Sequence, residues 1–163
     1  MHQFTLQLEN NSDQNPCTFR FRLEQPLILN EGKWGVALTS FHRNYDIVTS
    51  SPIFVTLDIV ELSVCGDDLL DVVRCVDSSR REIYFTEDQL VYIPCECVVK
   101  QQLYLRIVDE RGSTVRLSRA KRRNAMRGRS RVTFSFIQQP DSVRQQTEDT
   151  RYTDSDSNSE SST

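Results

Sequence analysis

Apolar residues alternate with polar ones along most of residues 1–137. Phe4, Leu6 and Leu8 alternate with Thr5, Gln7 and Glu9. A polar turn follows from Asn10 to Pro16, after which Phe19, Phe21 and Leu23 alternate with Arg20, Arg22 and Glu24. That is the pattern of a half-buried strand with one charged face. Ile53, Val55, Leu57 and Ile59 form a further run entered through Pro52, and Leu103, Leu105 and Ile107 form another. Asp109-Glu110-Arg111-Gly112 reads as a hairpin turn, because Val115 and Leu117 resume the alternation at once. Val132, Phe134 and Phe136 make the last strand. A period of two places each of these sets on one face of an extended chain.

The stretch from Pro26 to Phe41 carries the single tryptophan. Asn30-Glu31-Gly32 makes a turn before it. Trp34, Val36 and Leu38 point to one side, and Gly35, Ala37 and Thr39 to the other, where only small groups fit. A strand that is apolar on one face and small on the other is expected to be packed on both, as a central strand of a layered β-protein. Trp34, Val36 and Leu38 are then core residues with no direct part in binding.

One segment departs from this period. Leu69, Val72, Val73 and Val76 lie at i, i+3, i+4 and i+7, the spacing of a helix face, although valines favour strands. The reading is a short helix or irregular turn, with Gly66-Asp67-Asp68 as its cap. In all, seven to nine short strands and at most one short helix are expected. They are separated by turn signals, with no internal repeat. This is an all-β sandwich or roll.

Composition refines the picture. With 163 residues the chain suffices for one core, yet only 37% is apolar, so part of it lies outside that core. Residues 1–113 hold 17 acidic and 10 basic side chains. Residues 114–131 hold eight basic side chains and no acidic one, and residues 138–163 hold six acidic and two basic. The formal net charge of -3 therefore hides an acidic body, a cationic segment and an acidic tail. From Gln138 onward the sequence is almost free of apolar residues and is expected to be disordered. No apolar run reaches the length of a spanning helix. The strand pattern begins at the first residues, so no signal peptide is expected. The five cysteines are then expected to be reduced and the Asn10-Asn11-Ser12 sequon unused.

Little catalytic chemistry is on offer. His2 and His42 are isolated, and Cys95-Glu96-Cys97 is the one close cysteine pair. A structural zinc site needs four ligands, which Cys17, Cys65 and Cys75 would complete only by accident of fold. No G-x-S-x-G, phosphate-binding loop or dinucleotide fingerprint occurs. Asp67-Asp68 and Asp109-Glu110 read as turn residues. The expectation is a protein that is not an enzyme and takes no cofactor, metal or small-molecule substrate.

The strongest non-structural signal is Arg119 to Arg131, with Arg119, Lys121, Arg122, Arg123, Arg127, Arg129 and Arg131. It lies between two expected strands, as a long cationic loop over 118–131. It reads as a solvated loop, as a nuclear import signal, or as a phosphate-contacting segment. No aromatic residue is interleaved, so any nucleic-acid contact would be blind to sequence. The acidic tail could neutralise this loop, and its Ser155 and Ser157 are potential phosphoacceptors beside acids.

Four ordered segments carry a family likeness: Pro26–Leu29 with Gly32–Ser40; Ile53–Glu61 with Val64–Asp67 and Leu69–Val73; Leu103–Val115; and Val132–Phe136. Together these resemble the penton (vertex) capsid proteins of Maverick/Polinton-type elements and of adintovirus- and adomavirus-like DNA viruses. The resemblance implies a single jelly roll of about eight antiparallel strands in residues 1–137, followed by the tail 138–163. It implies a virion subunit, a homopentamer at the fivefold vertex of an icosahedral double-stranded DNA virus. Its partners would be itself and a double-jelly-roll major capsid protein, with packaged DNA or a nuclear import receptor at the basic loop and no membrane. Assembly would take place in the host cell, in the nucleus. The chain is short between Phe41 and Pro52, where relatives carry a longer excursion, so one strand is expected to be reduced or missing. The competing function is a β-sandwich module that contacts nucleic acid non-specifically through residues 119–131.

Overall fold

A computed structural model describes residues 2–10, 15–30, 32–49, 51–60, 63–65, 68–96, 98–117 and 129–139, with 63–65 and 68–70 as backbone alone. Eleven strands are described: β1 (Gln3–Glu9), β2 (Thr18–Leu29), β3 (Lys33–Arg43), β4 (Ile53–Leu57), β5 (Ser63–Cys65), β6 (Asp68–Leu70), β7 (Val72–Val76), β8 (Glu82–Tyr84), β9 (Ile93–Cys95), β10 (Val98–Val108) and β11 (Ser130–Gln139). A single 3₁₀ turn, Glu87–Gln89, separates β8 from β9. Among the described residues no helix is long and apolar enough to cross a membrane.

Two antiparallel sheets pack face to face as a β-sandwich. The first runs β1-β11-β3, with β8 and β9 pairing different parts of the far side of β3. The second runs β2-β10-β4-β7, and β5-β6 is a separate two-stranded ribbon. The core between the sheets is built from the alternating sets read in the sequence. Ile53, Val55, Leu57, Leu103, Leu105 and Ile107 come from one sheet, and Val36, Val132, Phe134 and Phe136 from the other. Phe4 stacks on Phe136 at 4.8 Å between ring centres and lies 5.8 Å from Trp34, the offset and tilted arrangements that aromatic pairs favour.

The tryptophan strand is central, with β11 on one side and β8 and β9 on the other. Trp34 is only 6% exposed, and its indole N–H donates to the Asn30 carbonyl at 3.1 Å. The face of small residues is covered as well, because Tyr92 lies over Gly35. A Cβ on Gly35 would sit 3.1 Å from the Tyr92 Cβ, and the Tyr92 hydroxyl lies 3.1 Å from Ser135 Oγ across that face. The turn before the strand places Gly32 at φ +86°, a conformation that suits glycine.

The segment over 69–76 is extended, not helical. It forms β6 and β7, broken at Asp71, whose carbonyl accepts from the Leu57 N–H at 2.9 Å. The register between β4 and β7 shifts at Val55/Thr56, which leaves Val73 as an extra residue. Such a bulge spaces the buried Val73 and Val76 by three, a spacing that mimics a helix. Gly66 and Asp67 of the expected cap lie outside the described residues. The Asp109–Gly112 turn is present, with Gly112 at φ +75° and Asp109 Oδ1 accepting from the Arg111 and Ser113 N–H groups. Its return leg pairs only through isolated bridges, Val108 with Thr114 and Leu117 with Ile47. Among the described residues the connection from Asn44 to Pro52 carries no strand, and β8 and β9 share the side of β3 away from β11. β11 runs on through Gln139, and the rest of the expected tail lies outside the described residues.

Candidate functional site

Four connections gather at one end of the sandwich: those after β1, β3 and β7, and the one before β11. The pairing registers set this meeting point. Glu9 lies opposite Arg131, and Ser130 opposite Arg43. Buried polar groups then bind the four connections together. Tyr45, 2% exposed, donates to the Pro16 carbonyl at 3.0 Å and lies 2.6 Å from Ser130 Oγ. Ser130 Oγ reaches the same carbonyl at 2.7 Å. The Cys17 thiol approaches the Tyr45 oxygen at 3.7 Å. Asn10, the sequon asparagine, is itself buried and accepts from the Ser130 N–H.

Arg43 ends β3 and is 3% exposed. Its Nη1 donates to the Tyr45 carbonyl and its Nη2 to the Ser78 carbonyl, so it ties the connection after β3 to the one after β7. The guanidinium carbon lies 5.8 Å from the Tyr45 ring centre. Among the described residues Arg43 Nε is the one buried side-chain nitrogen or oxygen without a hydrogen-bond partner. Burial lowers the pKa of Arg43, pushes the Cys17 thiol up to about 11 and holds the Tyr45 phenol well above its ordinary value. Cys17 is thus a neutral packing thiol near pH 7, not a nucleophile.

This end is the frame from which the cationic segment leaves and to which it returns. Its outgoing stem is held where Leu117 bridges Ile47 and the Val48 N–H donates to the Arg116 carbonyl at 2.8 Å. Its incoming stem is held by Asn44, whose N–H donates to the Arg129 carbonyl at 3.2 Å and whose Oδ1 accepts from the Arg129 N–H. Of the seven expected site residues, Arg119, Lys121, Arg122, Arg123 and Arg127 lie outside the described residues. Arg129 and Arg131 are described, and both reach one carboxylate, Glu9, at 3.2 and 3.1 Å. Burial of the Glu9 carboxyl opposes its ionisation, but hydrogen bonds and charge from Arg131, then Arg129, outweigh it and hold its pKa below the usual carboxylate range. Arg81 pairs with Asp46, while Arg80 and Arg116 are exposed on the neighbouring connections.

No signal in the sequence marks Arg43, Asn44, Tyr45, Ser78 and Ser130 as a unit, since they are scattered over three connections. The one hint is Arg43-Asn44-Tyr45, a polar cluster directly after a strong strand. Elsewhere, His42 Nε2 lies 3.4 Å from Glu82 at the surface. Cys17 and Cys95 are buried, Cys75 is exposed, and the side chain of Cys97 lies outside the described residues. Among the described residues no group of three His, Cys, Asp or Glu side chains could hold a metal ion. No model of a known protein family matches this sequence, and no curated protein sequence is similar to it at a significant level.

Proposed function

We propose that this chain is a structural shell subunit: a single jelly roll that assembles as a homopentamer at the fivefold vertices of an icosahedral double-stranded DNA virus or virus-like element. The strand order carries this reading. One sheet runs β1-β11-β3-β8, with β9 also on β3, and the other β2-β10-β4-β7. The chain therefore crosses between sheets at most connections, staying in one sheet from β4 to β7 and from β8 to β9, and the last strand lies beside the first. That interleaving supports the reading of a jelly roll, two Greek keys wound together, an architecture common in viral capsids. The ordered likeness of the tryptophan strand and its three companion segments to vertex proteins supports the same reading. A subunit of this kind needs no catalytic site, only a rigid body and complementary sides.

Co-expression with a double-jelly-roll major capsid protein tests the proposal. Shells whose fivefold positions carry density of this chain, seen by electron microscopy, are the expected result. Shells that close without it, with the chain left free, would overturn the reading.

A second reading is favoured by one observation, the pinning of both stems of the cationic segment on residues 44–48 beside exposed Arg80 and Arg116. The segment between those stems holds Arg119, Lys121, Arg122, Arg123 and Arg127 in its sequence, a composition suited to phosphates without base readout. In a shell the same end would face the packaged genome or serve nuclear import. Duplex-DNA binding that is indifferent to sequence and falls steeply with salt is expected. Affinity that does not change with salt would remove it.

A further inference from the structure

Two exposed surfaces lie on opposite lateral sides of the sandwich, and they complement each other. The first is built by the chain from β8 to β9. Tyr84 is 71% exposed and Val91 50% exposed, although Ile83 beside Tyr84 is buried in the core. Between Glu82 and Val99 the sequence holds Glu82, Glu87, Asp88 and Glu96 and no lysine or arginine. Glu82, Glu87 and Asp88 are exposed, and the 3₁₀ turn that carries two of them is fixed by the Thr86 N–H donating to Gln89 Oε1 at 3.1 Å. This side presents a protruding aromatic ring with an acidic rim.

The second surface is on β2 and β10. Val99 and Ile28 are cross-strand partners, 69% and 50% exposed. The register of β10 against β2 shifts between Lys100 and Gln102, and beside that irregularity lies a hollow lined by Arg20, Asp58, Val99, Lys100, Gln102 and Tyr104. Lys100 is neutralised by Asp58 at 2.8 Å. Arg20 lies 5.2 Å over the Tyr104 ring, and exposed Arg22 follows it along β2, with Glu24 next. This side presents a concave patch that is apolar at its mouth and basic along its flank.

The two surfaces face away from each other. β8 sits next to β7, with Arg74 of β7 4.5 Å over the Phe85 ring, whereas β2 is the opposite edge of its sheet, separated from β7 by β10 and β4. A surface and its complement on opposite sides of one molecule make a head-to-tail contact, the kind that closes into a ring when the rotation allows. Opposite charge around apolar centres fixes the register of such a contact and disfavours like-to-like pairing. We infer that a second copy of this chain docks here, the Tyr84–Val91 edge of one subunit entering the Arg20–Val99 hollow of the next. The inference rests on the ring-forming reading above and names its contact surfaces.

Charge reversal tests it in the full chain by analytical ultracentrifugation over a concentration series. The variants Glu87→Arg with Asp88→Arg, and Arg20→Glu with Arg22→Glu, are each expected to weaken self-association by at least about tenfold. The four-fold variant carrying both reversals is expected to recover it, because the reversed surfaces again attract. All four positions are exposed, so each variant is expected to keep a cooperative thermal unfolding transition, which serves as the folding control. Oligomers that form equally well in every variant would overturn these surfaces while leaving the ring reading standing. A wild-type chain that stays monomeric up to about 1 mM would overturn the second copy as occupant. Recovery that fails in the four-fold variant, despite loss in both pairs, would also overturn the head-to-tail register.

Discussion

Trp34 and Tyr45 show how differently two large buried rings serve the same core. Trp34 is held by apolar packing against Phe4 and by one indole hydrogen bond to Asn30. Trp34→Ala is expected to cost about 3–5 kcal/mol, the range for deleting a buried large aromatic, as read by urea unfolding. Tyr45 matters through its hydroxyl, which meets Pro16, Ser130 and Cys17. Tyr45→Phe keeps the ring and leaves buried polar partners short of one hydrogen bond, so a loss of about 1–3 kcal/mol is expected in the same assay. Glu9 gives a pH signature. Its pKa is lower in the folded chain than its ordinary 4.5, so its contribution is present above that value and disappears as pH falls through the folded one. Glu9→Gln is therefore expected to lower stability slightly on the plateau above about pH 4.5 and to converge with the wild type as pH falls below it, which flattens the acid limb, measured by denaturant midpoints across pH.

At the scale of the strand, two bulges explain both what the hydrophobic pattern revealed and where it misled. In β3 the pairing with β11 slips between Thr133 and Phe134, so that Thr39 is the extra residue. The buried positions therefore run Trp34, Val36, Leu38, then Phe41 and Arg43. A strict period of two would have turned Phe41 outward. Thr39 Oγ1 fills the gap by donating to the Thr133 carbonyl at 3.0 Å. Deleting Thr39 is expected to put Phe41 and Arg43 on the wrong face and to abolish the cooperative fold, seen as loss of dispersion in amide NMR spectra. The same device at Val73 made β7 resemble a helix. The straight runs from Phe4 to Leu8, Ile53 to Leu57 and Val132 to Phe136 were legible because nothing interrupts their alternation. Bulges were not legible, since a lone extra residue is set by the partner strand and leaves no mark in its own sequence.

For the whole molecule, the arrangement of charge is the feature that sequence and fold share. An acidic edge, a basic hollow and a cationic end occupy different parts of one sandwich. If the cationic end binds DNA, replacing Lys121, Arg122, Arg123 and Arg127 with serine is expected to weaken binding and to reduce the salt slope by about 0.9 for each phosphate no longer neutralised. Fluorescence anisotropy over a salt series measures both. The sequence by itself determined the all-β class, the core identity of Trp34, Val36 and Leu38, and the existence of one cationic segment, because alternation and composition are local properties of the chain. It could not determine which strands become neighbours, nor that Arg43, Tyr45, Ser78 and Ser130 meet at one end, nor that Tyr84 and Val99 stay exposed on opposite sides. Those facts depend on pairing between residues up to a whole domain apart. Only the tertiary structure decides that pairing, because burial of the shared core selects one register among many that local alternation would allow.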